Sequence, residues 1–259
     1  MERYAQRSAP RLRPFAAALV NLLPPPAGGR ILDVATDTGL VAVEAARRVG
    51  PDGTVLATDF LAAWEPHVRN TAAEAGVTNI TFAAMPAEAL DLPAASFDVV
   101  YCQFGLMFVP EQDRALREMR RMLRPGGRIG IAVWSVPENV GLFLVSRIVG
   151  PALPPVEGEA PPSPMGMGAP GLIEGLMAEA GLSEIVTHRV TLFHEIADPE
   201  TEWAAWCEDF ATPDGGGLAS LPESEQQRLH DEVIAALERL RDGDVVRVPS
   251  EAIVVTATR

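Results

Sequence analysis

The amino-acid sequence predicts an α/β fold: a parallel sheet with helices on both faces. Three observations carry this. Short apolar runs alternate with segments of helical periodicity between residues 30 and 134. Their connections are short, which calls for parallel pairing through right-handed crossovers. The run 97–102 is mostly apolar, as suits a central parallel strand.

Residues 1–23 are expected to be helical, because Leu12, Phe15, Ala16, Leu19, Leu22 and Leu23 recur at helical spacing. Pro24-Pro25-Pro26 then stops the helix. Tyr4 and Phe15 either close over a ligand held by the next segment or pack in the core. Residues 30–34 form strand one, Thr36 to Gly39 supply turn formers, and residues 40–49 form a helix. This order brings backbone N–H groups and a helix N-terminus up to a small ligand. Pro51-Asp52-Gly53 marks a turn, and strand two, 54–58, ends at Asp59. Asp59 stands twenty positions after Gly39, where an acid accepts hydrogen bonds from ribose hydroxyls or caps the next helix.

Residues 62–76 read as a helix capped by Gly76. Pro66 does not suit its interior, so either the first turn is irregular or the helix begins there. Strand three is 80–84, and 85–95 is a loop. Strand four is followed by an apolar loop, 103–110. The amphipathic helix 111–123 turns Leu116, Met119, Met122 and Leu123 inward. Arg124-Pro125-Gly126-Gly127 ends it, and 128–134 is strand five. Asp33 to Gly39, Asp59, Met85 to Glu88 and Gln103 all follow carboxyl ends of strands, so they converge on the rim where such sheets hold ligands.

The second half is less regular. Residues 150–170 contain seven prolines and four glycines, which suits a loop, linker or lid. A helix is expected at 171–180 with Gly181 as its cap. Residues 184–196 alternate as a strand, with Val186, His188, Val190, Leu192, His194 and Ile196 on one face. Helices at 200–210 and 223–241 flank an Asp214-Gly215-Gly216-Gly217 turn, and 252–257 is a last strand.

A net charge of −14 argues against nucleic acid and anionic membranes as partners. No apolar run reaches the length of a membrane span, so membrane insertion is not expected. The start, Met-Glu-Arg-Tyr, lacks an apolar signal core and argues against export. Cys102 and Cys207 form no Cys-x-x-Cys pair, which fits a reducing, cytoplasmic compartment. The four histidines form no ligand cluster, and no metal site is expected. His188 and His194 read as structural, and Cys102 as core.

The stretch Ile31-Leu32-Asp33-Val34-Ala35-Thr36-Asp37-Thr38-Gly39 resembles motif I of the class I S-adenosylmethionine (SAM) dependent methyltransferases, usually Asp-x-Gly-x-Gly-x-Gly. Ala35 and Asp37 replace two of its three glycines. Asp59 matches the ribose-binding acid, and Ala87-Glu88-Ala89-Leu90 the segment bordering the adenine. Ser96-Phe97-Asp98-Val99-Val100 and Leu123-Arg124-Pro125-Gly126-Gly127-Arg128 match the flanks of strands four and five. Phe104-Gly105-Leu106-Met107-Phe108 and the segment from Asp242-Gly243-Asp244 to Pro249-Ser250-Glu251-Ala252 resemble ubiquinone/menaquinone-biosynthesis-type members.

The resemblance implies a Rossmann-like, seven-stranded, mostly parallel sheet whose last strand is antiparallel, with helical additions over the strand ends. It implies a single domain over 1–259: an N-terminal helical lid at 1–26, a cofactor-binding core at 27–135, a Pro/Gly-rich lid loop at 136–170, and a helical insertion at 198–245 between the last two strands. SAM is the implied cofactor, held by Asp33, Ala35, Thr36, Asp37, Gly39, Asp59, Phe60, Ala87 and Gln103. Tyr4, Phe15, Phe104, Phe108 and Trp134 are the candidates to line the acceptor site, and each aromatic has core packing as its alternative. Trp203 and Trp206 either contact substrate or anchor their helix.

Three departures bear on the cofactor. Ala35 is expected to be tolerated where its φ stays negative. Asp37 adds bulk and a charge that either pairs with the cofactor's ammonium or sulfonium or repels its carboxylate. Pro86 stands where relatives carry an acid that accepts the adenine amino group. The expected function is SAM-dependent methyl transfer to a small, largely apolar or aromatic metabolite, with no catalytic base assigned. Two alternatives stay open: an enzyme on the same fold that no longer transfers methyl (a cyclase, isomerase or hydrolase-like member), and a noncatalytic binding subunit.

Overall fold

The structure, a computed structural model, describes residues 2–7, 9–154, 164–209 and 217–259. In chain order the elements begin with α1 (Glu2–Arg7), α2 (Ala9–Leu22), β1 (Arg30–Val34), α3 (Leu40–Val49), β2 (Thr54–Asp59), α4 (Glu65–Ala75) and β3 (Ile80–Ala84). They continue with β4 (Phe97–Gln103), α5 (Gln112–Met122), β5 (Leu123–Trp134), α6 (Leu144–Val149), α7 (Leu172–Glu179) and β6 (Ser183–Ile196). The chain closes with α8 (Pro199–Asp209), α9 (Glu223–Glu238), β7 (Arg241–Asp242) and β8 (Val245–Thr258).

The strand order is β3-β2-β1-β4-β5-β8-β6, and β7 pairs only with β8. The pairs from β3 across to β5 are parallel. Residues 252–258 of β8 run antiparallel to β5, as the resemblance implied for the last strand. β4 is central for the reason its composition suggested: Val99, Val100, Tyr101 and Cys102 are fully buried. On α5, Ala115, Leu116, Met119 and Met122 recur at helical spacing and are buried, while its arginines stay outside. Both readings of Pro66 hold together: a 3-10 turn at Ala62–Trp64 leads into α4, which starts at Glu65.

The chain divides into two compact units: 1–135 with 162–190 and 252–259, and 136–161 with 191–251. The first holds the parallel strands and the strand-end rim. Its N-terminal helix α2 buries Phe15, Ala16, Leu19 and Val20. The exit of α2 is fixed by the Tyr101 hydroxyl, which donates to the Leu23 carbonyl, and by the Arg128 guanidinium, which donates to the Pro24 carbonyl at 2.7 Å.

The second unit has its own apolar cluster. Leu144, Val145 and Val149 of α6 meet Ile196, then Leu229, Val233 and Leu237 of α9, then Val246 and Val248 of β8. Residues 136–154, read from the sequence as part of a lid loop, hold short helical turns and α6. Residues 138–149 contain no proline, and α6 buries its apolar side chains in a cluster with Leu229, Val233, Leu237 and Val248 from distant parts of the chain. Residues 155–163 of that segment lie outside the described residues, as does most of the expected Asp214-to-Gly217 turn. On β6 the alternation holds from His188 to Ile196, but Val186 is 49% exposed and Ile185 turns inward instead.

In this unit His230 ties α9 to α8. Its Nε2 lies 2.8 Å from Glu200 Oε2 and its Nδ1 3.0 Å from Asp231 Oδ1. Only an imidazolium donates from both nitrogens, so the hydrogen bonds to Glu200 and then Asp231 hold its pKa above the ordinary value. The stabilisation is fully present below the ordinary histidine pKa and is lost as pH rises through the raised one. The pair is largely solvated, so the effect is below about 1 kcal/mol. His230→Gln is expected to flatten the loss of melting temperature between about pH 6 and about pH 8; an unchanged slope counts against this pairing.

Candidate functional site

The rim at the carboxyl ends of β1, β2 and β4 is built by the turn that follows β1. Ala35 and Asp37 both adopt left-handed backbone, φ 56° and 52°, and Gly39 follows at 85°. Ala35 therefore does not meet the condition, a negative φ, under which its methyl is expected to be tolerated. The turn is closed from three sides. The Thr36 N–H donates to the Thr58 carbonyl at 2.9 Å. The Asp37 N–H donates to Asp59 Oδ2 at 3.1 Å, and the Gly39 N–H to the Thr36 carbonyl at 2.9 Å. These bonds over-determine a geometry that costs a non-glycine residue on the order of 1–2 kcal/mol. At Gly39 the φ of 85° favours glycine, and a Cβ there would stand 3.2 Å from a Val68 methyl, a tight approach.

Asp33 is buried beneath this turn. Desolvation pushes its pKa up to about 7, opposed by the Thr36 hydroxyl, which donates to Oδ2 at 2.6 Å, and by the Ala42 N–H in the first turn of α3. The neighbouring Asp59 and Asp37 charges raise it further. Asp59 itself is 5% exposed, and its carboxyl pKa is raised, mainly by desolvation. Its Oδ1 accepts the Leu61 N–H at 3.1 Å, so each oxygen takes one backbone donor. A carboxylate has about four acceptor sites, and two remain for a ligand's hydroxyls. The carboxylate braces the turn and the start of the next segment, but it does not cap the helix that follows, whose N-cap is Trp64 with no side-chain bond.

On the β4 side, Gln103 Nε2 donates to the Leu12 carbonyl of α2 at 3.5 Å. Its Oε1 is buried and has no hydrogen-bond partner among the described residues. Phe104 follows with φ 55°. Its ring stacks on Trp134, with centroids 3.9 Å apart, and Phe15 meets both rings edge-on at 5.6 and 5.1 Å. Three of the acceptor-site candidates thus come together, each buried, as a closed aromatic cluster beside the turn.

The other sequence candidates are placed differently. Ala87 is buried, Phe60 beside Asp59 is 70% exposed, and Phe108 is half exposed and apart from the aromatic cluster. The side chain of Tyr4 lies outside the described residues. Pro86 is exposed on the loop after β3, whose Met85 N–H donates to the Asp59 carbonyl at 2.8 Å. Cys102 is fully buried, and its thiol pKa is pushed up to about 12 by desolvation, so it is no nucleophile. Thr38 was passed over: its Oγ1 is buried with no partner among the described residues. The signal was present, since Thr38 is a hydroxyl inside the quoted turn. Gly105 was also passed over, and nothing in its local sequence marks it.

These residues fit a cationic, ribose-bearing cofactor. Three carboxyl groups, Asp33, Asp37 and Asp59, lie within electrostatic reach of one another. An unpartnered hydroxyl and a carboxylate with spare acceptor capacity stand on the same rim.

Comparison with known proteins identifies the family and the fold. Residues 31–127 match the family model described as a methyltransferase domain. Over 114 residues the chain is 44% identical to the ubiquinone/menaquinone biosynthesis C-methyltransferase UbiE of Hahella chejuensis, covering 44% of this chain and 46% of that one. Over 187 residues it is 33% identical to the nocamycin O-methyltransferase of Saccharothrix syringae, covering 67% and 66%. The chain thus spans under half the length of the UbiE relative it matches. Among solved structures, the YcgJ protein of Bacillus subtilis shares the fold at a TM-score of 0.60, with 18% identity over 95% of this chain and 98% of that one. By its matched domain, its relatives and its sheet, the chain belongs to the class I SAM-dependent methyltransferase family.

Proposed function

We propose that this chain transfers the methyl group of SAM to a small, largely apolar or aromatic metabolite. The observation that carries the reading is Asp59: a buried strand-end carboxylate that bonds the Asp37 and Leu61 N–H groups and keeps acceptor capacity for two ribose hydroxyls. The named relatives, a C-methyltransferase and an O-methyltransferase, support methyl transfer to small molecules. When bound, SAM supplies an electrophilic methyl carried on a sulfonium.

The chain's own part is binding, orientation and exclusion of water. Asp33, Ala35, Thr36, Asp37 and Gly39 form the cofactor turn, with Thr38 added to them. Phe60 and Ala87 border the adenine, and Gln103 faces cofactor and acceptor together. The packed rings of Phe15, Phe104 and Trp134 back the acceptor side of the rim, with Tyr4 and Phe108 as further contacts. The acids suit a cation, so Asp37 is read as attracting the sulfonium or ammonium. Both cysteines are free, which supports a reducing, cytoplasmic location, and the charge of −14 disfavours nucleic acid as a partner.

Calorimetric titration with SAM and with S-adenosylhomocysteine tests the reading. Micromolar binding of both is expected. No detectable binding by protein shown to be folded would overturn it and turn the search to a reaction without a methyl donor or to a noncatalytic role.

A further inference from the structure

The left-handed Ala35 has a specific neighbour. A Cβ built on Gly105 would fall 2.3 Å from the Ala35 Cβ, and 3.2 Å from Cys102 Sγ. The Ala35 methyl therefore stands where a side chain of residue 105 would be. The backbone of Gly105 itself is ordinary, φ −88° and ψ −42°, so no conformational demand explains a glycine there. The methyl of Ala35 does, with Cys102 Sγ as a lesser second contact.

Two turns from different strands meet at this point. The turn after β1 carries Ala35, and its Asp37 N–H is bonded to Asp59. The turn after β4 carries Phe104, also left-handed, whose N–H donates to the Ala132 carbonyl at 2.8 Å and whose ring stacks on Trp134. Neither turn can give way alone, since each is held by bonds to a neighbouring strand. A residue larger than glycine at 105 must push the Ala35 methyl and shift the turn that presents Asp37 to Asp59.

We propose that Gly105 is a positioning residue for cofactor binding, acting through Ala35. It makes the room that an alanine in place of a glycine in the β1 turn requires, and it couples that turn to the Phe104–Trp134 stack. The proposal rests on the reading of this rim as the SAM site.

A double-mutant cycle tests it, with S-adenosylhomocysteine affinity by calorimetry and melting temperature as the two readouts. Gly105→Ala in the native background is expected to weaken binding at least about tenfold. The same substitution made on top of Ala35→Gly is expected to cost less than about threefold, because the 2.3 Å overlap is gone and only the 3.2 Å approach to Cys102 Sγ remains. A general packing defect at position 105 would give equal losses in the two backgrounds. Equal losses, or no loss in the native background, overturn the proposal. Should Gly105→Ala not fold, a double variant that folds and binds supports it, and a double variant that does not fold or does not bind overturns it. Absence of binding by the native protein overturns the SAM reading and this proposal together, whereas native binding without rescue overturns this proposal alone.

Discussion

Asp59→Ala is expected to weaken SAM and S-adenosylhomocysteine binding by about a hundredfold and to lower folding stability by about 2 kcal/mol. The two effects have different sources. Affinity falls because hydrogen bonds to a carboxylate contribute roughly 1.5–3 kcal/mol each, and the two ribose hydroxyls lose theirs. Stability falls because the Asp37 and Leu61 N–H groups lose their acceptors. Asp59→Asn separates them. One oxygen remains to accept one backbone N–H and no charge is left to desolvate, so stability falls less than in Asp59→Ala, while the loss of charge and of one acceptor still weakens binding by about tenfold or more. Calorimetry and urea denaturation on the same preparations read both. Native affinity in Asp59→Ala, from folded protein, would remove Asp59 from the site.

The stability of the protein is expected to fall between about pH 4 and about pH 7, with Asp33 as the main cause, and to fall only slightly further above as His230 loses its proton. The folded-state pKa of Asp33 is raised from 3.8 to about 7, so in that window the native state holds a proton that the unfolded chain has released. Stability then decreases as pH rises until both states are ionised. Asp59 shifts in the same direction and adds to the slope. A shift of this size corresponds to on the order of 4 kcal/mol, and the Thr36 hydroxyl and the Ala42 N–H keep it from being larger. Asp33→Asn keeps an oxygen for the Thr36 hydroxyl and has no charge to desolvate. It is expected to be more stable than the native protein at about pH 8, little changed at about pH 4, and to lose most of the slope. A slope that survives Asp33→Asn assigns it elsewhere.

The local pattern of the chain was enough for the sheet and for much of the rim. Alternating periodicities and short connections dictate parallel pairing, and the near-continuous apolar run of β4 suits burial on both faces. Asp59 was legible because a strand end and a fixed interval after a turn place it beside that turn, whatever the rest of the fold does. Pro66 was legible for the same reason, since a missing N–H acts within one helical turn.

Where side chains meet across long separations, the tertiary structure decided. The left-handed turn at Ala35 is held by bonds that the Thr36 and Asp37 N–H groups donate to Thr58 and Asp59 and has the room left by Gly105, all three distant in sequence. Phe15, Phe104 and Trp134 had both core and ligand readings, because an aromatic residue's composition and spacing are the same in either role; only their mutual stacking brings the three together. Residues 144–149 form a helix because its apolar face is buried with Leu229, Val233, Leu237 and Val248, none of them near it in the chain. Local propensity sets which elements form, but burial is a property of contacts, and contacts between distant residues are written only in the folded chain.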